Sequence, residues 1–117
     1  MRDPVEISMR GVSQSDALER YVGERARRLD SICDRIRSCQ VVVEALQRER
    51  QPGAQIAVRL TITLPGTEVV VNREHADDVY IALRDAFEAA GLQLMDYMRR
   101  QSALEARAHN RTPHRDG

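Results

Sequence analysis

QIAVRLTITLPGTEVVVN, from Gln55 to Asn72, reads as two antiparallel strands and the turn that joins them. Between Gln55 and Leu64 the alternation is strict: Ile56, Val58, Leu60, Ile62 and Leu64 share one face, and Ala57, Arg59, Thr61 and Thr63 share the other. Period two marks a strand buried on one face and wet, or bound to a partner, on the other. Pro65-Gly66 turns the chain, because proline presets φ and glycine accepts a positive one. Glu68 to Asn72 then supplies a last, shorter strand.

A half-wet sheet needs a second layer, and both flanks of the hairpin supply one. Upstream, SDALERYVGERARRLDSICDRI, from Ser15 to Ile36, reads as a single amphipathic helix. At about 100° per residue, Leu18, Val22, Ala26, Leu29 and Cys33 fall within about 80° of one another, the width of a buried stripe. Ser13 or Ser15 is placed to cap it, and Asp16 suits its dipole. A β-rich run from Cys39 to about Glu49 follows and closes at the corner Gln51-Pro52-Gly53. Before the helix, Val5, Ile7 and Met9 alternate in a short strand that Arg10-Gly11 breaks.

Downstream, helical period returns from about Ala76 to at least Arg100, with Val79, Leu83, Ala86, Phe87, Ala90, Leu94 and Tyr97 on one face and Asp77 and Asp78 at the N-terminal end. After Arg100 the apolar face is lost, which predicts a fraying helix end and a mobile, arginine-containing tail over residues 102–117. The predicted fold class is α+β: a two-layer β-α-β-β-β-α domain over residues 1–101, a four-stranded sheet with two helices on one face.

All eighteen basic side chains are arginine and they balance eighteen acids, so net charge gives no argument for a polyanionic partner. Position does. Tyr21, Arg25, Arg28 and Arg35 line one border of the first helix's apolar stripe, where cationic heads reach water and could meet phosphate. On the second helix Ile81, Leu92 and Met95 fall within about 60° of one another opposite its core stripe, a candidate protein interface through which the chain could form a homodimer.

Other chemistry finds little footing. Cys33 and Cys39 read as reduced, half-buried thiols, and His75, His109 and His114 have no metal-ligand spacing. The serines and cysteines lack a base partner and there is no glycine-rich phosphate loop, so no enzyme, cofactor, metal or small-molecule substrate is predicted. No apolar run approaches the roughly 20 residues of a membrane span, and no secretory pattern opens the chain, which predicts a cytosolic protein without a membrane partner.

SDALERYVGERARRLDSICDRI, the strand VVVEAL, the run IAVRLTITLPGTEVVV and the helix DVYIALRDAFEAAGLQL together resemble the short hibernation promoting factor family, in one register from residue 4 to about 101. Its members are also called ribosome-associated translation inhibitors or, in older usage, sigma-54 modulation proteins. The resemblance implies a fold like that of double-stranded-RNA-binding domains, seated in the decoding channel of the small ribosomal subunit where mRNA and transfer RNA would lie. It implies ribosomal RNA as the partner and translation silenced in idle, stressed cells. Arg25 and Arg28 fall where the family has basic residues, Asp34-Arg35-Ile36 matches the motif ending the first helix, and Asp78, Tyr80 and Ala82 match the start of the second.

Gln93 and Leu94 match as well, whereas Leu92, Asp96 and Met98 stand where the family is usually basic. The implied RNA-binding set is Arg25 and Arg28, helped by Arg10, Arg35, Gln93, Arg99 and Arg100. The rival reading is a divergent relative that binds protein through Ile81, Leu92 and Met95. A general double-stranded-RNA binder fits less well, because Asp77 and Asp78 put negative charge where such domains are positive.

Overall fold

The computed structural model describes residues 1, 3–46 and 55–111, the last two through their backbone alone. The elements are β1 Glu6–Arg10, α1 Asp16–Ile32, β2 Ser38–Leu46, β3 Gln55–Leu64, β4 Thr67–Ala76 and α2 Val79–Arg111. The strands make one sheet in the order β1-β2-β3-β4. β2, β3 and β4 pair antiparallel, and β1 lies parallel to β2. A parallel neighbour requires a crossover, and α1 is that crossover. The two-layer α+β class and the β-α-β-β-β-α order are as the sequence predicts.

The core lies between the sheet and the helices. β3 buries Ile56, Val58, Leu60, Ile62 and Leu64, β2 adds Val41 and Val43, and β4 adds Val69 and Val71. From above, α1 supplies Leu18, Val22, Ala26 and Leu29, and α2 supplies Ala82, Leu83, Ala86, Phe87, Ala90, Leu94 and Tyr97. The β3–β4 turn is closed by Gly66 at φ +76°, the left-handed region that glycine enters without a Cβ penalty.

Ser15 caps α1 by accepting the Leu18 N–H at 3.1 Å. The helix stops at Ile32, earlier than the predicted Ile36, because Cys33 turns to extended backbone at φ −141°. Cys33 and Ile36 nonetheless stay buried, so the apolar period outlasts the helix while the chain bends down toward β2. Both cysteines are free thiols and fully buried, not half-buried.

Two further boundaries differ from prediction. β4 does not end at Asn72 but runs to Ala76, because Arg73 and His75 keep the ladder opposite Val58 and Ile56 after the apolar alternation has stopped. Over residues 102–111, predicted as tail, α2 continues as helix to Arg111. Ala103, Leu104, Glu105, Ala106 and Arg107 are strong helix formers, and they hold the helix while exposed, beyond the sheet-packed core. At its other end the Asp78 Oδ1 accepts the amides of Tyr80 (3.0 Å) and Ile81 (3.1 Å), which fixes the start of α2. The Gln51-Pro52-Gly53 corner, the predicted end of β2 near Glu49, and residues 112–117 lie outside the described residues. Among the described residues no helix is long and apolar enough to cross a membrane.

Candidate nucleic-acid interface

The helix layer has a seam. The flank of α1 that carries Arg25, Arg28 and Ile32 faces the flank of α2 that carries Phe87, Gly91, Leu92 and Met95, and an open groove of ≈ 410 Å³ runs between them. Gly91 sits at the seam with room for a methyl group. A Cβ built there would stand 3.5 Å from Ile32 Cδ1 and 3.9 Å from Leu29 Cδ2.

One end of the seam is aromatic. The rings of Tyr21 and Tyr80 meet edge to face, with centroids 5.2 Å apart and planes at 87°. The Arg25 guanidinium lies over the Tyr21 ring, 5.1 Å from its centroid. Attraction to the ring face holds that cation without neutralising it. Among the described residues neither Arg25 nor Arg28 has a carboxylate partner, so both keep their hydrogen-bonding capacity for a ligand.

The remaining candidates disperse. Arg35, in the turn after α1, is paired with Glu105 of α2, which by hydrogen bond and charge holds the guanidinium above its ordinary pKa. Arg99 and Arg100 share the carboxylate of Asp96, at 3.7 and 3.4 Å. Gln93 is exposed but sits roughly 160° round the helix from Met95, away from the groove. Arg10 lies on the other side of the sheet, in a shallow concave face with Gln40, Glu44, Arg59 and Thr61. Ile81 shares an azimuth with Leu92 but stands about 16 Å back along the helix.

The seam thus joins two groups that the sequence keeps apart, the arginines of α1 and the apolar pair Leu92 and Met95. It also adds Ile32, Phe87, Glu88 and Gly91. Ile32 carried a readable signal, because it is an apolar residue falling between Arg25 and Arg28 in azimuth on a flank otherwise polar. Glu105 carried none, since its partner lies 70 residues upstream. Among the described residues no cluster of His, Cys, Asp or Glu is arranged to hold a metal ion.

Comparison with known proteins shows the family. The family model described as sigma 54 modulation protein / S30EA ribosomal protein matches residues 5–102. A relative from Pseudomonas putida bearing the name ribosome hibernation promoting factor is 34% identical over 102 residues, covering 86% of this chain and 91% of its own. One of the same name from Azotobacter vinelandii is 34% identical over 99 residues, covering 83% of this chain and 84% of its own.

Among solved structures, the N-terminal domain of Thermus thermophilus Protein Y matches at TM-score 0.67 and 26% identity, covering 83% of this chain and 99% of that domain. A ribosomal subunit interface protein from Coxiella burnetii shares the fold, at TM-score 0.68 and 20% identity over 81% of this chain and 97% of its own. The family match spans nearly the whole described domain and the relatives agree with it: the chain belongs to the sigma 54 modulation protein / S30EA ribosomal protein family.

Proposed function

We propose that this protein is a ribosome-associated hibernation factor, which occupies the mRNA and transfer-RNA path of the small subunit and so keeps idle ribosomes inactive. Relatives with that name support the coarse reading. The observation that carries the RNA contact is the pair Arg25 and Arg28, about one helical turn apart on the same flank of α1, Arg28 exposed and Arg25 half-buried over Tyr21, and both without a carboxylate partner among the described residues. Guanidinium is the group suited to bidentate contact with phosphate. Action is by occupancy, with no bond made or broken.

Charge must act locally, since the chain as a whole is neutral. Each phosphate neutralised contributes about 0.7 to 0.9 to the slope of log affinity against log salt. Arg99 and Arg100 can join at modest cost, because their bonds to Asp96 are exposed and well screened.

Co-sedimentation with ribosomes and isolated small subunits over a salt series tests the proposal. Near-stoichiometric binding to the small subunit, lost as salt rises and displaced by mRNA or transfer RNA, is the expected result. Absence of binding even at low salt contradicts it. The exposure of Leu92 (68%) and Met95 (49%) beside the arginines favours a second reading, a family member that also engages protein.

A further inference from the structure

We infer that the groove between α1 and α2 is a docking site for an acidic amphipathic helix of a partner protein. Its walls are apolar: Ile32, Phe87, Leu92 and Met95 line it, and three of these four are substantially exposed. An RNA backbone offers phosphates and sugars, which gain nothing from Leu92 or Met95. A protein side chain does gain, by removing that surface from water.

Length and charge define the occupant. From Arg25 to Ile32 on one wall and from Phe87 to Met95 on the other, the groove spans about 10 to 12 Å, two turns of helix. That accommodates apolar anchors at i, i+3 or i+4, and i+7, the spacing of helix-in-groove recognition. Arg25 and Arg28 stand on the α1 rim, one turn apart and without carboxylate partners among the described residues, so they match carboxylates repeated every turn along one flank of the guest. Glu88 stands on the α2 rim and repels the same carboxylates, which fixes the guest's acidic flank toward α1. The guest would cover the arginines assigned above to RNA, so the two ligands exclude one another.

The probe is a fluorescent synthetic helix of about 16 residues, with leucines at i, i+4 and i+7 and glutamates along one flank, titrated by anisotropy against the full chain. Saturable one-to-one binding is expected. Leu92→Glu should weaken it roughly tenfold or more, as should Arg25→Gln with Arg28→Gln, or glutamine in place of the peptide's glutamates. Leu92 is exposed, so its variant folds; circular dichroism checks this.

Equal binding of a peptide with serines for its leucines, unchanged binding to Leu92→Glu, or no saturable binding overturns the inference. So does sedimentation equilibrium showing a dimer of this chain that Leu92→Glu dissolves, since a second copy would then own the groove. Peptide binding is read on the free chain, so loss of the ribosome reading leaves this outcome unaffected.

Discussion

Arg35, in the turn that ends α1, and Glu105, on the stretch of α2 that projects past the sheet, form an ion pair across 70 residues of sequence. The contact ties the exposed end of α2 back to the turn after α1 and neutralises one of the cations on that side of the molecule. Arg35 stays protonated throughout, since the pairing only raises its pKa.

Replacing Glu105 by Gln therefore releases a cation at little structural cost, because the pair is solvent-exposed. If Arg35 contributes to the RNA surface, Glu105→Gln steepens the salt dependence of small-subunit binding by about one unit of slope and leaves the thermal midpoint near that of the parent. An unchanged slope removes Arg35 from the interface.

At the seam, Gly91→Ala is expected to stabilise the protein. The new methyl meets Ile32 and Leu29 at ordinary van der Waals distance, and alanine is favoured over glycine inside a helix by up to about 1 kcal/mol. Urea unfolding should show a higher midpoint at an unchanged slope. A lower midpoint would mean that α1 and α2 pack more tightly than the seam geometry implies.

Cys39 gives a pH signature. Burial, with a smaller contribution from the Asp30 carboxylate, pushes its thiol from 9.0 up to about 12. The folded state therefore holds its proton longer than the unfolded chain does. Stability from this group is intact below pH 9.0 and falls as pH climbs toward 12, by up to about 1.4 kcal/mol per pH unit. Native protein should resist thiol reagents at pH 8, both cysteines reacting only after denaturation, and Cys39→Val should flatten the alkaline loss relative to the parent.

The fold was legible wherever burial sets a period. Gln55–Leu64 alternates because one face of β3 packs beneath two helices, and the stripes of α1 and α2 follow from the same burial. Legibility failed where something else holds the backbone. β4 persists through Arg73 and His75 on ladder hydrogen bonds, α2 persists past Arg100 on intrinsic helix preference, and α1 ends at Ile32 although Cys33 and Ile36 continue its apolar pattern.

The candidate site was half legible. Arg25 and Arg28 follow from one helix alone, as flank residues beside a core stripe. That Leu92 and Met95 face them across Gly91, and that Arg10 lies behind the sheet, depends on how separate elements pack. No single-element periodicity contains that information.

The most direct measurement is co-sedimentation of the Arg25→Glu, Arg28→Glu double variant with small ribosomal subunits, beside the parent, with circular dichroism and urea unfolding as checks on fold. Both side chains lie at the rim of the core, so the variant should fold like the parent and lose ribosome binding by roughly two orders of magnitude or more at moderate salt. A folded double variant that sediments with small subunits as the parent does would contradict the assignment of the α1 ridge to ribosomal RNA.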